Sequence, residues 1–474
     1  MAQQNADVRT SVSQWMNGRR RYMAAAMVAL VFMVVAVARF APPADIASAE
    51  AAAEAPAERV QAEQAALEGA ALHADSVAAA EALAAGAAGQ EIVMAGATSE
   101  QMFGFAPITD GVPRVPRPDV MKGLYLNAYA VGSQRKLDRL IGIANATEIN
   151  TFVIDVKEGG EVSYSTRVPM VRAIGAERIY ISDIRGVLKK LRENGIFPVA
   201  RIVVFKDGPL AKARADWAVE HVDGGEWLDR DGYRWLDSYN RHVWDYNIAI
   251  AREALELGFS EIQWDYVRFP DVPGTLMRQG SWPAAEGRSK ADGIRDFIIY
   301  SREKLASYDV PITADVFGLT TSAGTDMGIG QLWEKLADVT DALLPMVYPS
   351  HYARGSYGIA HPNASPYETV KTALQHGVRR NAKFENPPRI VAWLQDFTLG
   401  APRYEAAHVR AQIDAVYDAG LKEWVLWHPG SNYTIEALAT ANGVVPRLPR
   451  PSADSVVEPV ETKPGGPLGT PIQH

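Results

Sequence analysis

Three short apolar runs carry polar side chains two residues apart, the spacing that puts both on one face of a strand. They hold Asp155 with Lys157, Gln263 with Asp265, and Thr313 with Asp315. Arg201, Tyr348, Gln395 and Trp427 lie in or beside other such runs. Carboxyl, amide and guanidinium groups can move protons and grip a polar ligand, and a charge in a strand is costly to bury unless it is paired. Their gathering near the C-terminal ends of the runs predicts a site where those ends meet. Other chemistries lack their residues. With no Cys there is no disulfide, thiolate zinc site, iron–sulfur cluster or Cys nucleophile. H-E-x-x-H, G-x-x-x-x-G-K-[ST] and G-x-S-x-G are missing. No His spacing suits a metal, and no cofactor is expected. A net charge of -8 argues against nucleic acid as a partner.

The elements that must position these groups alternate in kind. Strand patterns cover residues 122–131, 151–157, 197–205, 261–269, 311–319, 342–348, 389–397 and 423–428. Helical patterns cover 133–147, 182–194, 243–257, 292–308, 367–380 and 406–418. Ser182 reads as an N-cap, and Gly195, Gly258 and Gly420 stand where helices should stop. This alternation predicts an α/β fold, a (β/α)8 TIM barrel over residues 115–445. An open doubly wound sheet is the alternative, but Ala130-Val131-Gly132-Ser133 makes a poor Gly-rich first turn.

The ends read differently. Arg19, Arg20 and Arg21 precede an apolar run over residues 22–38, about the shortest that spans a bilayer. The basic flank would stay in the cytoplasm. Ala36-Val37-Ala38 also reads as a cleavage site, so residues 1–40 are a signal anchor or a removable signal peptide. Either way the body is expected outside the cytoplasmic membrane, tethered or secreted. Residues 41–110 form an Ala-rich linker or stalk, and residues 446–474 a Pro/Gly-rich tail expected to be disordered.

Glu261-Ile262-Gln263-Trp264-Asp265-Tyr266-Val267-Arg268-Phe269-Pro270 resembles the signature of the DUF4015 group of glycoside hydrolase-like domains. Lys122-Gly123-Leu124-Tyr125, Phe152-Val153-Ile154-Asp155-Val156-Lys157, Ala314-Asp315-Val316-Phe317-Gly318 and Pro345-Met346-Val347-Tyr348-Pro349-Ser350-His351-Tyr352 agree with it. The resemblance covers about residues 121–430. It implies a TIM barrel, hydrolysis of glycosidic bonds, and a polysaccharide or oligosaccharide substrate.

Such hydrolysis needs two carboxyl groups flanking the scissile bond. By similarity to barrel glycosidases, Asp265 would be the nucleophile and Asp315 the general acid/base. Neighbouring strands lie about 4.8 Å apart. Retaining enzymes want carboxyls about 5–5.5 Å apart and inverting ones about 6.5–9.5 Å, a choice the sequence leaves open. Asp265 could instead close its strand end in an ion pair with Arg268, and Asp315 could be a strand-end hydrogen-bonding residue. Asp155, with Lys157 on its face, reads as a paired, substrate-orienting group. Arg201 could bind a sugar hydroxyl or carboxylate, or hold Asp155 or Asp265 ionised. Tyr125, Tyr348, Trp393 and Trp427 are candidate sugar platforms. Gln263, Arg268, Gln395 and His351 complete the expected substrate-binding set, and Trp264 is expected in the core. Two other classes compete: a non-catalytic glycan-binding or cell-envelope scaffold, and a metal-dependent deacetylase-like hydrolase.

Overall fold

A computed structural model describes residues 96–107 and 112–451 of the protein. The expected membrane segment, most of the Ala-rich segment and the tail beyond residue 451 lie outside the described residues. Among the described residues no helix is long and apolar enough to cross a membrane.

The strands are β1 (Lys122–Leu126), β2 (Thr151–Glu158), β3 (Phe197–Val203), β4 (Glu261–Asp265), β5 (Ile312–Phe317), β6 (Ala342–Met346), β7 (Arg389–Gln395) and β8 (Glu423–Trp427). Each pairs in parallel with the next. β1 also pairs with β8, through Lys122↔Trp424, Gly123↔Val425 and Leu124↔Leu426, and this closes the barrel. Closure excludes the open doubly wound sheet. The outer helices are α1 (Gln134–Ala146), α2 (Ile184–Glu193), α3 (Arg241–Leu257), α4 (Lys290–Leu305), α5 (Trp333–Ala337), α6 (Pro366–Asn381) and α7 (Ala406–Asp418).

Local chemistry sets the boundaries. β1 stops at Leu126, short of the expected residue 131. The Asn127 side chain accepts from Ala130 N–H at 2.8 Å and starts a short helix, Ala128–Gly132. α2 is capped by Asp183, not Ser182: the Asp183 carboxylate accepts from Gly186 N–H at 2.8 Å. Gly258 ends α3 at φ 119, a left-handed conformation that suits glycine. β4 ends at Asp265 because Tyr266 turns to φ 47. Residues 99–103, expected in the linker, form the short helix Ser99–Phe103 with Met102 and Phe103 buried. The Phe103 ring centroid lies 6.3 Å from that of Trp217.

Two hydrophobic shells follow from strand alternation. The inner one includes Val153, Phe197, Val199, Leu344, Val391 and Val425. The outer one packs the strands on the helices and includes Trp264, Phe297, Leu255 and Val409. Trp264 lies there as expected, with its indole donating to Ser301 Oγ at 3.2 Å.

One irregularity shapes the mouth. Along β2 and β3, Asp155 pairs with Arg201, but Lys157 pairs with Ile202, so β2 carries a bulge. The bulge turns Lys157 away from the face of Asp155. Its Nζ donates to Val203 O and to Asn247 Oδ1 of α3, both at 2.9 Å, and lies 2.6 Å from Asp207 Oδ2. The expected Asp155–Lys157 pair at the site therefore does not form.

Candidate active site at the mouth of the barrel

The C-terminal ends of β1 to β5 bring the groups together around Arg201. Its Nε and Nη2 both donate to Asp265 Oδ2, at 2.9 and 2.5 Å. Its Nη1 donates to Asp155 Oδ1 at 2.5 Å and to Glu158 Oε2 at 2.6 Å. Burial alone would lower the Arg201 pKa, but Asp155, Asp265 and Glu158 hold it well above its ordinary value. Burial pushes Asp155 up to about 7, against the pull of Arg201. Tyr125 donates to the other oxygen of Asp155 at 2.5 Å. Asp265 also receives Tyr266 N–H on Oδ1 at 2.5 Å. The left-handed backbone of Tyr266 accompanies that contact, a conformation that costs an ordinary residue roughly 1–3 kcal/mol.

Asp315 sits on the neighbouring strand in a different setting. Gln263 Nε2 and Trp393 Nε1 both donate to its Oδ1, at 2.7 and 2.6 Å. Burial first, and then the charge of Asp265, raise its carboxyl well above the usual range. Arg201 and the two neutral donors oppose that rise. Strand pairing of Gln263 with Thr313 and Trp264 with Ala314 carries Asp265 alongside Asp315.

Aromatic rings line the same space. Tyr125 stacks on Trp427 with centroids 3.8 Å apart, and the Arg201 guanidinium lies 5.4 Å from the Trp427 centroid. Trp427 is half-buried, and the Trp393 ring meets it edge-on with centroids 5.7 Å apart. Trp393 is buried, and its role in the structure is the hydrogen bond to Asp315. Tyr348 is buried in the inner shell and feels the charge of both Asp315 and Asp265.

Three other expected site residues make different contacts. Arg268 spreads over the rings of Phe317, Tyr266 and Trp235, at 4.6, 4.8 and 5.1 Å. The ion pair that grips Asp265 comes from Arg201. His351 is exposed, with Nδ1 3.0 Å from Ser350 Oγ. Gln395 is buried and ties loops together, accepting from Ser350 N–H at 3.1 Å and donating to Phe397 O at 2.9 Å. Among the described residues no group of three His, Asp or Glu side chains is placed to hold a metal ion.

Sequence reasoning missed Glu158, Lys206, Tyr233, Trp235 and Tyr266. Glu158 reaches the mouth only because of the β2 bulge, which alternation does not reveal. The others sit on or beside the long connection from β3 to α3. A long strand-to-helix loop on the C-terminal side of a barrel was the available signal.

A closed parallel barrel with carboxyl groups at the C-terminal strand ends defines a TIM-barrel domain with its candidate site at the mouth. Residues 123–433 match the DUF4015 family, described as "Putative glycosyl hydrolase domain", and the chain belongs to that family. A search of curated proteins finds no match. Among solved structures, a hypothetical protein from Ruminiclostridium thermocellum ATCC 27405 is 41% identical, covering 41% of this chain and 97% of that one, with a TM-score of 0.38. The PgaB (BpsB) glycoside hydrolase domain from Bordetella bronchiseptica is 13% identical, covering 68% of this chain and 99% of that one, with a TM-score of 0.49. An alpha-galactosidase from Thermus thermophilus is 14% identical, covering 68% of this chain and 60% of that one, with a TM-score of 0.43.

Proposed function

We propose that the protein is a glycoside hydrolase acting on a polysaccharide outside the cytoplasmic membrane. The observation that carries this reading is the contrast between two neighbouring carboxyls. Asp265 is gripped by a guanidinium and a backbone N–H, whereas Asp315 has neutral donors and a raised pKa. Titratable pairs whose surroundings push them apart mark an acid and its partner. The basic and apolar N-terminal pattern supports the location.

In the reaction, Asp265 attacks the anomeric carbon as the glycosidic bond breaks and Asp315 gives its proton to the leaving oxygen; Asp315 then takes a proton from a water that attacks the same carbon and frees Asp265. As Asp265 forms its bond it loses charge, and Arg201 keeps Asp155 and Glu158 as counterions. Because both neutral donors occupy Oδ1 of Asp315, its proton belongs on Oδ2. Trp427, backed by Tyr125, provides a ring against which the C–H face of a sugar packs.

The test is hydrolysis of an array of bacterial surface glycans by the full-length chain. Asp265→Asn is expected to abolish cleavage with unchanged folding. Asp315→Asn is expected to slow it by roughly 10²–10⁴, the contribution of a general acid. Full activity in either variant rejects the assignment. One observation favours a non-catalytic glycan-binding protein instead: Asp265 and Asp315 are only 6% and 1% exposed and already hydrogen-bonded. Such a protein binds glycans equally well with Asp315→Asn and cleaves none.

A further inference from the structure

The Trp393 indole of β7 reaches Asp315 of β5 across the strand between them, donating to Oδ1 at 2.6 Å. That strand is β6, whose register sets Leu344 beside Asp315 and Met346 beside both Phe317 and Trp393. Its alternation continues past its last residue. Val347 belongs to the outer shell, with its N–H donating to Trp393 O at 3.2 Å, and Tyr348 returns to the inner shell. Tyr348 is therefore the next inward side chain on the mouth side of the Trp393–Asp315 bond.

The ring of Tyr348 is fixed, whereas its hydroxyl is not. His351 and Phe397 meet the ring edge-on, with centroids 5.4 and 5.8 Å away. The residue is 6% exposed, and among the described residues nothing hydrogen-bonds to its hydroxyl. Two other phenols of the mouth are engaged, Tyr125 donating to Asp155 and Tyr433 to Tyr125 O. Both nearby carboxyls are served by other donors: Arg201 and Tyr266 N–H on Asp265, and Gln263 and Trp393 on Asp315. Burial first, and then the charges of Asp315 and Asp265, raise the Tyr348 pKa well above its ordinary value, against the pull of Arg201. The phenol therefore keeps its proton at any neutral pH. A buried donor on a fixed ring lacks only an acceptor, and each such group in a folded protein asks for a reason.

We propose that the Tyr348 hydroxyl is a catalytic hydrogen-bond donor, giving its proton end to an oxygen of the sugar bound over Asp265 and Asp315. This rests on the glycosidase reading and adds a residue to its chemistry. The ring is packed between His351 and Phe397, so Tyr348 acts through its hydroxyl, and stacking is left to Trp427. The group it meets must accept a hydrogen bond, as a sugar hydroxyl or an acetamido carbonyl does and an ammonium does not. Hydrogen bonds to sugar oxygens beside the anomeric carbon strengthen as charge develops there, so the hydroxyl contributes more to the transition state than to the bound sugar.

The experiment compares Tyr348→Phe with the wild type, both as full-length chains, on the bacterial surface glycan that the wild type cleaves fastest. kcat is expected to fall about tenfold to a hundredfold while KM moves less than about threefold, the mark of an interaction made mainly in the transition state. The melting temperature should hold or rise, because the variant deletes a buried hydroxyl that has no protein partner. A phenol with only a structural role gives the opposite pair, a lower melting temperature and wild-type turnover per folded molecule, and that result overturns the proposal. So does a loss confined to KM. The two readings fail separately. Cleavage that Tyr348→Phe leaves untouched removes this inference alone. A wild type that cleaves nothing removes the glycosidase reading, and calorimetry with the tightest-bound glycan of the array then decides on Tyr348. There the variant should bind about fivefold or more weakly, as the loss of one hydrogen bond implies, and equal affinity ends the proposal. An array that is neither cleaved nor bound ends both.

Discussion

At the scale of single residues, protonation at the mouth is set by which neighbours carry charge. Asp155 and Asp265 share one guanidinium, whereas Asp315 has an indole and an amide. A hydrogen bond to the charged form lowers a carboxyl pKa, so removing one raises it. Trp393→Phe deletes a donor to Asp315 and should move its titration upward. The alkaline limb of the pH–rate profile moves up with it, because the acid keeps its proton to higher pH. Carboxyl ¹³C NMR of the variant measures this without any substrate, and a midpoint that falls or stays put contradicts the assigned contact. Strand alternation was enough to put Gln263 with Asp265, and Thr313 with Asp315, on shared faces of neighbouring strands. It failed at Lys157 and Glu158, where one extra residue in β2 reverses the faces. The part played by Trp393 was also misread, since a sequence does not distinguish a ring that stacks from a ring that donates.

At the scale of elements, the outward turn of Lys157 makes β2 depend on the connection after β3. Lys157 and Asp207 are fully buried, and Asp207 caps the short helix Gly208–Ala213 by accepting from Leu210 N–H at 2.8 Å. Breaking such a pair from one side strands a charge away from water, at about 3–5 kcal/mol. Lys157→Met should therefore lower stability by that order in urea denaturation, while glycan affinity per folded molecule stays near wild type. A large loss of affinity with unchanged stability would return Lys157 to the site. Strands and long helices were legible because their periods are strong. The turn at Asn127 and the short α5 were not, since one capping side chain or one turn of helix leaves no periodic signal.

At the scale of the whole molecule, the barrel interior is layered. Charged groups occupy both ends of the strands, with an apolar belt between them. At the base, Glu261 receives Thr313 Oγ1 at 3.0 Å, and burial pushes its carboxyl up to about 8 from an ordinary 4.5. Its folded pKa is above its unfolded one. Its contribution to stability is therefore complete below pH 4.5 and is lost as pH rises through about 8. Glu261→Gln, which stays neutral, should melt several degrees above wild type at pH 9 and show little gain at pH 5. Calorimetry across that range checks it, and a gain independent of pH refutes it. Eight strand patterns alternating with helical ones made this architecture readable from the chain alone. The base charges were not readable, because the same alternation that marks an inward face does not say at what depth a residue sits.

The bulge in β2 also divides the demands on this short stretch between two adjacent residues. Deleting Val156, the extra residue, would restore even pairing with β3 and leave Lys157 and Glu158 on the faces they now hold, whereas deleting Lys157 would leave Asp207 buried without its cation. A deletion series through this stretch should therefore cost less stability at Val156 than at Lys157.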